Sequence, residues 1–559
     1  MALVTNLTKR ESNVSHLHES QTYISASITQ FQILPSQEFR RHHQVTKEFI
    51  DKLGLLHQLN GHEGCVNCIQ WSENGELLAS GSDDAHVMLW HPFKGRQVQR
   101  HTTGHTGNIF SVKFMPGTQN RIVASGAADF KIQVHDMAAG KTLESYKKHT
   151  YRVKRMEVTP ACPNILWSAS EDGTVMETDI RAPPSESGIL INLHADAESG
   201  IEAKCLSINP IYPEYLAVGG SDSYIRMYDR RKLKCNVIQW PDSVADNPRD
   251  RRGYLKDKSC QDYDWSNQRF AKYFVAGHLP KATKNVLWRR DNFTSTYVTF
   301  SPNGQELLAN MGSEQIYLFD VFHGSPILKD SFAFKNFLLL DENPEKMVKN
   351  GFHKKSMTDD LKPGVLQLKM QANQEYEAER YSNAVNLYNQ ALAAQVHPIL
   401  LGNRAAAYLK RMWNGDIYSA LLDVYHVILL DSNHIKAHLR MIKCLTELKW
   451  IEEAEDFVVI FKQKFPNHAD SPALKSLEKR LEEVKNDVKE SESKNKKRKE
   501  SGNDDVDNDN ATVEPEVNKN DEFIVALEKL KVNATDFKLR FCGHCNTTTD
   551  IKEANFFGR

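Results

Sequence analysis

His62 and Asp84 are the first residues in this 559-residue chain whose types suggest chemistry, since a histidine and a carboxylate can form a catalytic dyad. Their surroundings recur, however. Gly61-His62 opens a segment that passes through Leu78-Ala79-Ser80-Gly81-Ser82-Asp83-Asp84 and closes at Leu89-Trp90. Gly104-His105 opens another, through Ala124-Ser125-Gly126-Ala127-Ala128-Asp129 to Val134-His135-Asp136. Lys148-His149 opens a third, through Trp167-Ser168-Ala169-Ser170-Glu171-Asp172-Gly173 to Thr178-Asp179. The openings at 61, 104 and 148 lie 43 and 44 residues apart. A period of that length means one supersecondary unit repeated, so the histidines belong first to the elements that carry them.

These signatures resemble the WD repeat, in which each unit is one four-stranded blade of a β-propeller. In that family the opening His, a Ser on the second strand, the Asp of the next tight turn and a Trp on the third strand form one hydrogen-bonded chain. The matching residues are His62, Ser80, Asp84 and Trp90. Such a buried network specifies one geometry, because an unpaired polar group there is costly. Two weaker units follow, from Ala203 to Asp229 and from Gly277-His278 to Leu318-Phe319-Asp320. The stretch from Arg230 to Tyr273, rich in Asp, Arg, Lys and Pro, reads as a loop.

Two cysteine pairs also have chemical spacing. Cys65 and Cys68 fall on a predicted first strand, where residues three apart face opposite ways and do not share a metal. Phe541-Cys542-Gly543-His544-Cys545 looks like a disulfide-isomerase site, but only fourteen residues follow Cys545 and no second pair completes a zinc site. No metal or cofactor is expected. No Gly-rich phosphate loop, nucleophile elbow or paired carboxylates stand outside the repeats, so no catalytic residue is assigned. The formal charge of −1 gives no global field for nucleic acid. No apolar run is long enough to span a bilayer, and the start lacks a secretory signal. Nine scattered cysteines then read as reduced, intracellular thiols.

Beyond residue 362 the hydrophobic period becomes helical. Leu366, Met370, Tyr376, Tyr381, Ala384, Tyr388 and Ala391 fit a 3.6-residue repeat, and Pro363 suits a first turn. The predicted helix pairs are 363–377 with 381–394, 398–411 with 416–430, and 434–447 with 450–464, and a capping helix runs from Pro472 to Lys489. This array resembles the tetratricopeptide repeat, of which three pairs suffice for a stable stack. Lys369, Asn373, Asn403, Lys436 and Arg440 fall on the first helices of successive pairs. They match that family's dicarboxylate clamp, which implies binding of an acidic peptide with a free C-terminus, such as a chaperone tail.

The expected organisation is multidomain β + α: a tail at 1–44, propeller blades one to five at 45–330, a linker at 331–362, the helical array with its cap at 363–487, a disordered charged linker at 488–520 and the start of a further blade at 521–559. The order propeller, helical array, propeller start resembles the WD and tetratricopeptide repeats (adipose) family. Local matches include Cys65-Val66-Asn67-Cys68, Gly402-Asn403-Arg404-Ala405-Ala406-Ala407-Tyr408 and the run Gly543 to Gly558. Members continue into further blades, so the chain is expected to be C-terminally truncated and less stable than an extended version.

The resemblance implies a non-catalytic substrate receptor of a cullin-4 RING ubiquitin ligase in cytoplasm and nucleus, with a role in restraining fat storage. Such receptors dock on the ligase's adaptor propeller through Asp-x-Arg at the ends of consecutive blades. Asp179 with Arg181 and Asp229 with Arg231 match. The expected partners are that adaptor and a substrate protein, with no direct nucleic acid and no membrane. The competing reading is a scaffold without a ligase, joined to histone deacetylase complexes or histones or, as a co-chaperone, to acidic C-terminal peptides.

Overall fold

The computed structural model describes residues 54–196, 200–237, 271–279, 293–328, 361–500, 530–531, 533–542 and 554. Among them are five four-stranded antiparallel sheets and seven α-helices. The sheets are β1 to β4 (Val66–Trp71, Leu78–Ser82, His86–His91, Arg96–Thr102), β5 to β8 (Ile109–Phe114, Ile122–Ala127, Ile132–Asp136, Lys141–Tyr146), β9 to β12 (Val153–Thr159, Cys162–Ser170, Thr174–Asp179, Gly188–Asn192), β13 to β16 (Ala203–Ile208, Tyr215–Gly220, Ile225–Asp229, Ala271–Phe274) and β17 to β20 (Ser295–Phe300, Glu306–Met311, Ile316–Asp320, Leu539–Phe541). In each sheet the spatial order follows the chain, which makes every sheet a meander. The first strands pack in succession, β1 on β5, β5 on β9, β9 on β13 and β13 on β17, as propeller blades do.

Small residues on the second strands permit that stacking. A Cβ on Gly81 would lie 2.6 Å from Ile109 Cγ2 of the next blade, and one on Gly126 would lie 2.8 Å from Val153 Cγ1. Gly219 stands in the same way 2.7 Å from Ser295 Cβ. Each Gly follows a Ser or Val that pairs with the first half of the third strand, so its missing side chain becomes the space into which the neighbouring blade fits.

The helices are α1 (Pro363–Glu377), α2 (Tyr381–Ala394), α3 (Pro398–Arg411), α4 (Asp416–Leu430), α5 (Ile435–Glu447), α6 (Ile451–Lys464) and α7 (Pro472–Glu500). The first six lie within one residue of the predicted bounds. His397 and His434 cap α3 and α5 by accepting from Ile399 N at 3.2 Å and Ala437 N at 3.1 Å. Fully buried Ala384, Ala391, Ala420 and Ala454 let neighbouring helices approach.

Three expectations are corrected. The capping helix does not end near 488 in a disordered linker; it continues to Glu500 through the basic run 494–499. The stretch from Arg230 to Tyr273 is not all loop, since it enters the strand β16 and opens with a 3-10 turn at Arg230–Lys232. Most consequentially, Leu539–Phe541 does not open a new blade. It pairs with β19, Leu539 opposite Leu318 and Phe541 opposite Ile316, and so completes the fifth sheet. Blade five therefore does not close before residue 330, and the helical array is inserted between its third and fourth strands. The expected second strand of a further blade, the tail at 1–44 and most of the linker at 331–362 lie outside the described residues.

The insertion is docked on the blade that carries it. Tyr418 of α4 donates its hydroxyl to Asp536 Oδ2 at 2.6 Å, and Asp536 Oδ1 accepts from Gly277 N at 3.1 Å. His278, expected to open the fifth unit, instead faces the Tyr418 ring at 5.4 Å. Arg540 of β20 donates to Asp416 and to the Asn414 carbonyl, and Arg411 donates to Asp416 Oδ2 at 2.9 Å. Phe537 packs against both the blade core and the helical core.

Candidate protein-docking sites

In blade one Trp90 Nε1 lies 2.8 Å from Ser80 Oγ, Ser80 Oγ lies 2.7 Å from His62 Nε2, and His62 Nδ1 lies 2.9 Å from Asp84 Oδ2. An indole can only donate. Ser80 Oγ therefore accepts from Trp90 and gives its own proton to His62 Nε2, leaving Nδ1–H for Asp84. Burial alone would raise the Asp84 carboxyl, but His62 and the backbone N–H groups of Glu63 and His86 outweigh it and hold it at about 2. Every lone pair that a dyad would need is spent inside the blade, so the geometry is structural.

The other blades vary the theme. In blade three His149 Nδ1 reaches Asp172 Oδ2 at 2.9 Å and Nε2 reaches Ser168 Oγ at 2.8 Å. In blade two His105 bridges Asp129 and Ser125, and His135 takes the tryptophan position at 2.7 Å from Ser125 Oγ. A second face of His135 meets His101 Nε2 at 3.2 Å. Burial first, then His101 and His105, drive the His135 imidazole down to about 3.

The arginine pairs lie at the rim where the first-to-second and third-to-fourth strand turns meet. Arg181 N and Nε both donate to Asp179 Oδ1 at 3.0 Å, and Nη2 donates to Oδ2 at 2.6 Å. Arg231 repeats the fork on Asp229, with N at 3.1 Å, Nε at 2.9 Å and Nη2 at 2.8 Å. The two side chains are 66% and 65% exposed, so each guanidinium is held by its aspartate yet largely open to solvent. Bonds from Arg181 and Arg231 hold the Asp179 and Asp229 carboxyls below the usual carboxylate range. The neighbour Arg230 plays another part. It stacks on the Trp167 ring of blade three at 4.2 Å and donates to the Pro213 carbonyl, tying two blades together.

A third fork escaped the sequence search. Arg121 donates to Asp136 Oδ2 from Nε at 2.9 Å and Nη2 at 2.5 Å, at the same end of blade two. Its arginine comes from the turn before β6, fifteen positions ahead of its aspartate, so an Asp-x-Arg motif does not reveal it. The signal lies in the register, where Ile122 stands opposite Asp136.

On the helical array, Lys369 and Asn373 lie on α1, Asn403 on α3, and Lys436 and Arg440 on α5. Asn373 Oδ1 accepts from Asn403 Nδ2 at 3.2 Å and from Tyr388 Oη at 2.6 Å. Arg440 Nη1 donates to the Gly402 carbonyl at 2.9 Å, beside Asn403, and burial lowers its pKa. Asn373, Asn403 and Arg440 are thus drawn together by bonds across three helices. Lys369 is half-buried and Lys436 exposed, one turn before Asn373 and Arg440 respectively, and neither has a hydrogen-bond or ion-pair partner among the described residues. Arg404 is spent between helices, donating to Asp423 at 2.8 and 2.5 Å and to Asn389 at 2.8 Å.

Of the two cysteine pairs, Cys545 lies outside the described residues. Cys65 is exposed and Cys68 buried, and burial raises the Cys542 thiol. Among the described residues no cluster of three or more His, Cys, Asp or Glu has metal-holding geometry, and no helix is long and apolar enough to cross a membrane.

Comparison with known proteins gives the same architecture. The family model for the WD domain, G-beta repeat, matches residues 53–91 and 96–136. WD and tetratricopeptide repeats protein 1 of Mus musculus is 40% identical over 547 residues, covering 93% of this chain and 78% of that protein. Protein ALTERED SEED GERMINATION 2 of Arabidopsis thaliana is 30% identical over 81% of this chain and 62% of its own. DDB1- and CUL4-associated factor 6 of Homo sapiens is 32% identical over 49% of this chain and 29% of its own length. The similarity that covers most of the chain is to WD and tetratricopeptide repeat proteins, which are typically non-catalytic scaffolds, and no catalytic family is indicated.

Proposed function

This chain belongs to the family of WD and tetratricopeptide repeats proteins, and from that premise we propose that it is a substrate receptor of a cullin-4 RING ubiquitin ligase. The observation that carries the reading is the pair of exposed arginine forks, Arg181 on Asp179 and Arg231 on Asp229, at one rim of consecutive blades. A planar guanidinium suits an acidic or carbonyl-rich surface. Its own aspartate fixes the rotamer beforehand, so less entropy is lost on docking. The partial similarity to a factor named for association with DDB1 and CUL4 supports the same partner. In this reading the propeller rim holds the adaptor and the helical groove takes an acidic C-terminal peptide of the substrate, with ubiquitin chemistry left to the ligase. Work in cytoplasm and nucleus and restraint of fat storage belong to the same proposal.

A second reading rests on Lys369 and Lys436, which stand one helical turn before Asn373 and Arg440. They favour a groove that binds acidic C-terminal peptides whether or not a ligase is present, as a chromatin or co-chaperone scaffold would. Affinity purification with mass spectrometry separates the two. Wild-type chain is expected to bring down the cullin-4 adaptor, and the Arg181→Glu/Arg231→Glu chain to lose it while keeping groove-bound proteins. Equal adaptor recovery by both chains leaves only the second reading.

A further inference from the structure

We propose that the docking face extends beyond the two forks, from the third fork at Arg121 on blade two to an aromatic anchor at Phe322 on blade five, and that one adaptor molecule covers the whole strip. The inference rests on the proposed adaptor reading.

The strip is continuous. Ile122, next to Arg121, and Ile180, between Asp179 and Arg181, both pack against one apolar cluster shared by blades two and three. Arg230 on Trp167 joins blade three to blade four. Arg231 Nη1 then approaches Glu214 Oε1 at 3.7 Å, and Glu214 precedes Tyr215. Tyr215 and Tyr212 meet Phe322 of blade five edge-on, with centroids 5.9 and 5.5 Å apart. All of these residues sit at one rim, because Asp136, Asp229 and Asp320 stand opposite the first residues of their second strands and Asp179 stands opposite Ile165, the first residue of β10 that pairs with β11.

The chemistry is that of an interface. Arg121 is 60% exposed, like the two forks already described. Tyr212 and Phe322 are each 39% exposed and Ile211 is 55% exposed, so an apolar patch adjoins the charged row. The edge-to-face contacts hold Phe322 in place, and rigid aromatics with arginines are the residue types that dominate binding energy. The occupant must present acidic or carbonyl groups opposite three blades and an apolar socket at one end. A second copy fits poorly, since a two-fold contact through this strip would set arginine row against arginine row.

The test is titration of the purified full chain against the purified adaptor, with circular dichroism melts to show that each variant folds. Arg121→Gln and Phe322→Ser are each expected to weaken binding by about tenfold or more, while Phe322→Leu stays within about threefold of wild type. Arg181→Glu/Arg231→Glu is the reference. If the reference loses binding and both new variants bind as wild type, the strip ends at the two forks and the proposal is overturned, while the adaptor reading stands. If the reference binds as wild type, the adaptor reading fails and the proposal with it. If sedimentation shows a wild-type dimer that Phe322→Ser dissociates, the patch belongs to a second copy, which also overturns the proposal.

Discussion

His135 shows how much a single residue can change in a repeated element. Blade one closes its chain with Trp90, a donor that cannot titrate, whereas blade two uses an imidazole wedged between Ser125, His101 and Thr142. The His135 pKa falls from the ordinary 6.5 to about 3. The unfolded chain therefore takes up a proton that the folded blade refuses. Stability from this group is complete above about 6.5 and falls as pH drops from there toward about 3. Wild type should therefore lose on the order of 2 kcal/mol between pH 6.5 and 4.5 from His135 and the His101 coupled to it. His135→Gln should flatten that slope in denaturant melts across the window, and an unchanged slope would place the titration elsewhere. The histidines and aspartates of the first three blades were legible in the sequence because their spacing repeats. Arg121 was not, because a fork made across strands leaves no local motif.

Elements follow from short-range signals, and these decided what could be read. Pro363 at a first turn and a steady 3.6-residue period placed the first six helices to within a residue, whereas the end of α7 was not read from them. The second strands Leu78–Ser82 and Ile122–Ala127 carry small residues because a neighbouring blade lies against them. Gly126→Ala should push into Val153 Cγ1 and Met156 Sδ and destabilise the propeller by roughly 1–3 kcal/mol, read as a lower urea midpoint with an unchanged m-value. The groove makes its own prediction. A peptide ending in an acidic residue with a free carboxylate should bind at least about tenfold more tightly than its amidated form, and binding should weaken with salt. Equal affinities would mean that Lys369 and Lys436 are merely solvated. The strand β20 was misread because its partner β19 lies more than two hundred residues earlier, with a helical array between, so no turn signal connects them.

At the scale of the whole molecule, the inserted array and the propeller share a buried junction. Burial pushes the Asp536 carboxyl up to about 7, against bonds from Tyr418 and the backbone of Phe537 and Gly277 that favour its ionised form. A raised carboxyl contributes stability below the ordinary 3.8 and loses it as pH rises through about 7. Amide hydrogen exchange at 533–541 should therefore quicken, after correction for its intrinsic pH dependence, between pH 6 and 8 in wild type and stay level in Asp536→Asn. The opposite trend would contradict the burial argument. The seam fixes the helical groove relative to the propeller rim, so that a peptide in the one and an adaptor on the other would keep a set geometry. The rim is the account's central claim, and isothermal titration of purified adaptor into the full chain tests it most directly. Wild type should bind, and Arg181→Glu/Arg231→Glu should bind at least about tenfold more weakly with the same melting temperature. Equal affinity of the two folded chains would contradict it.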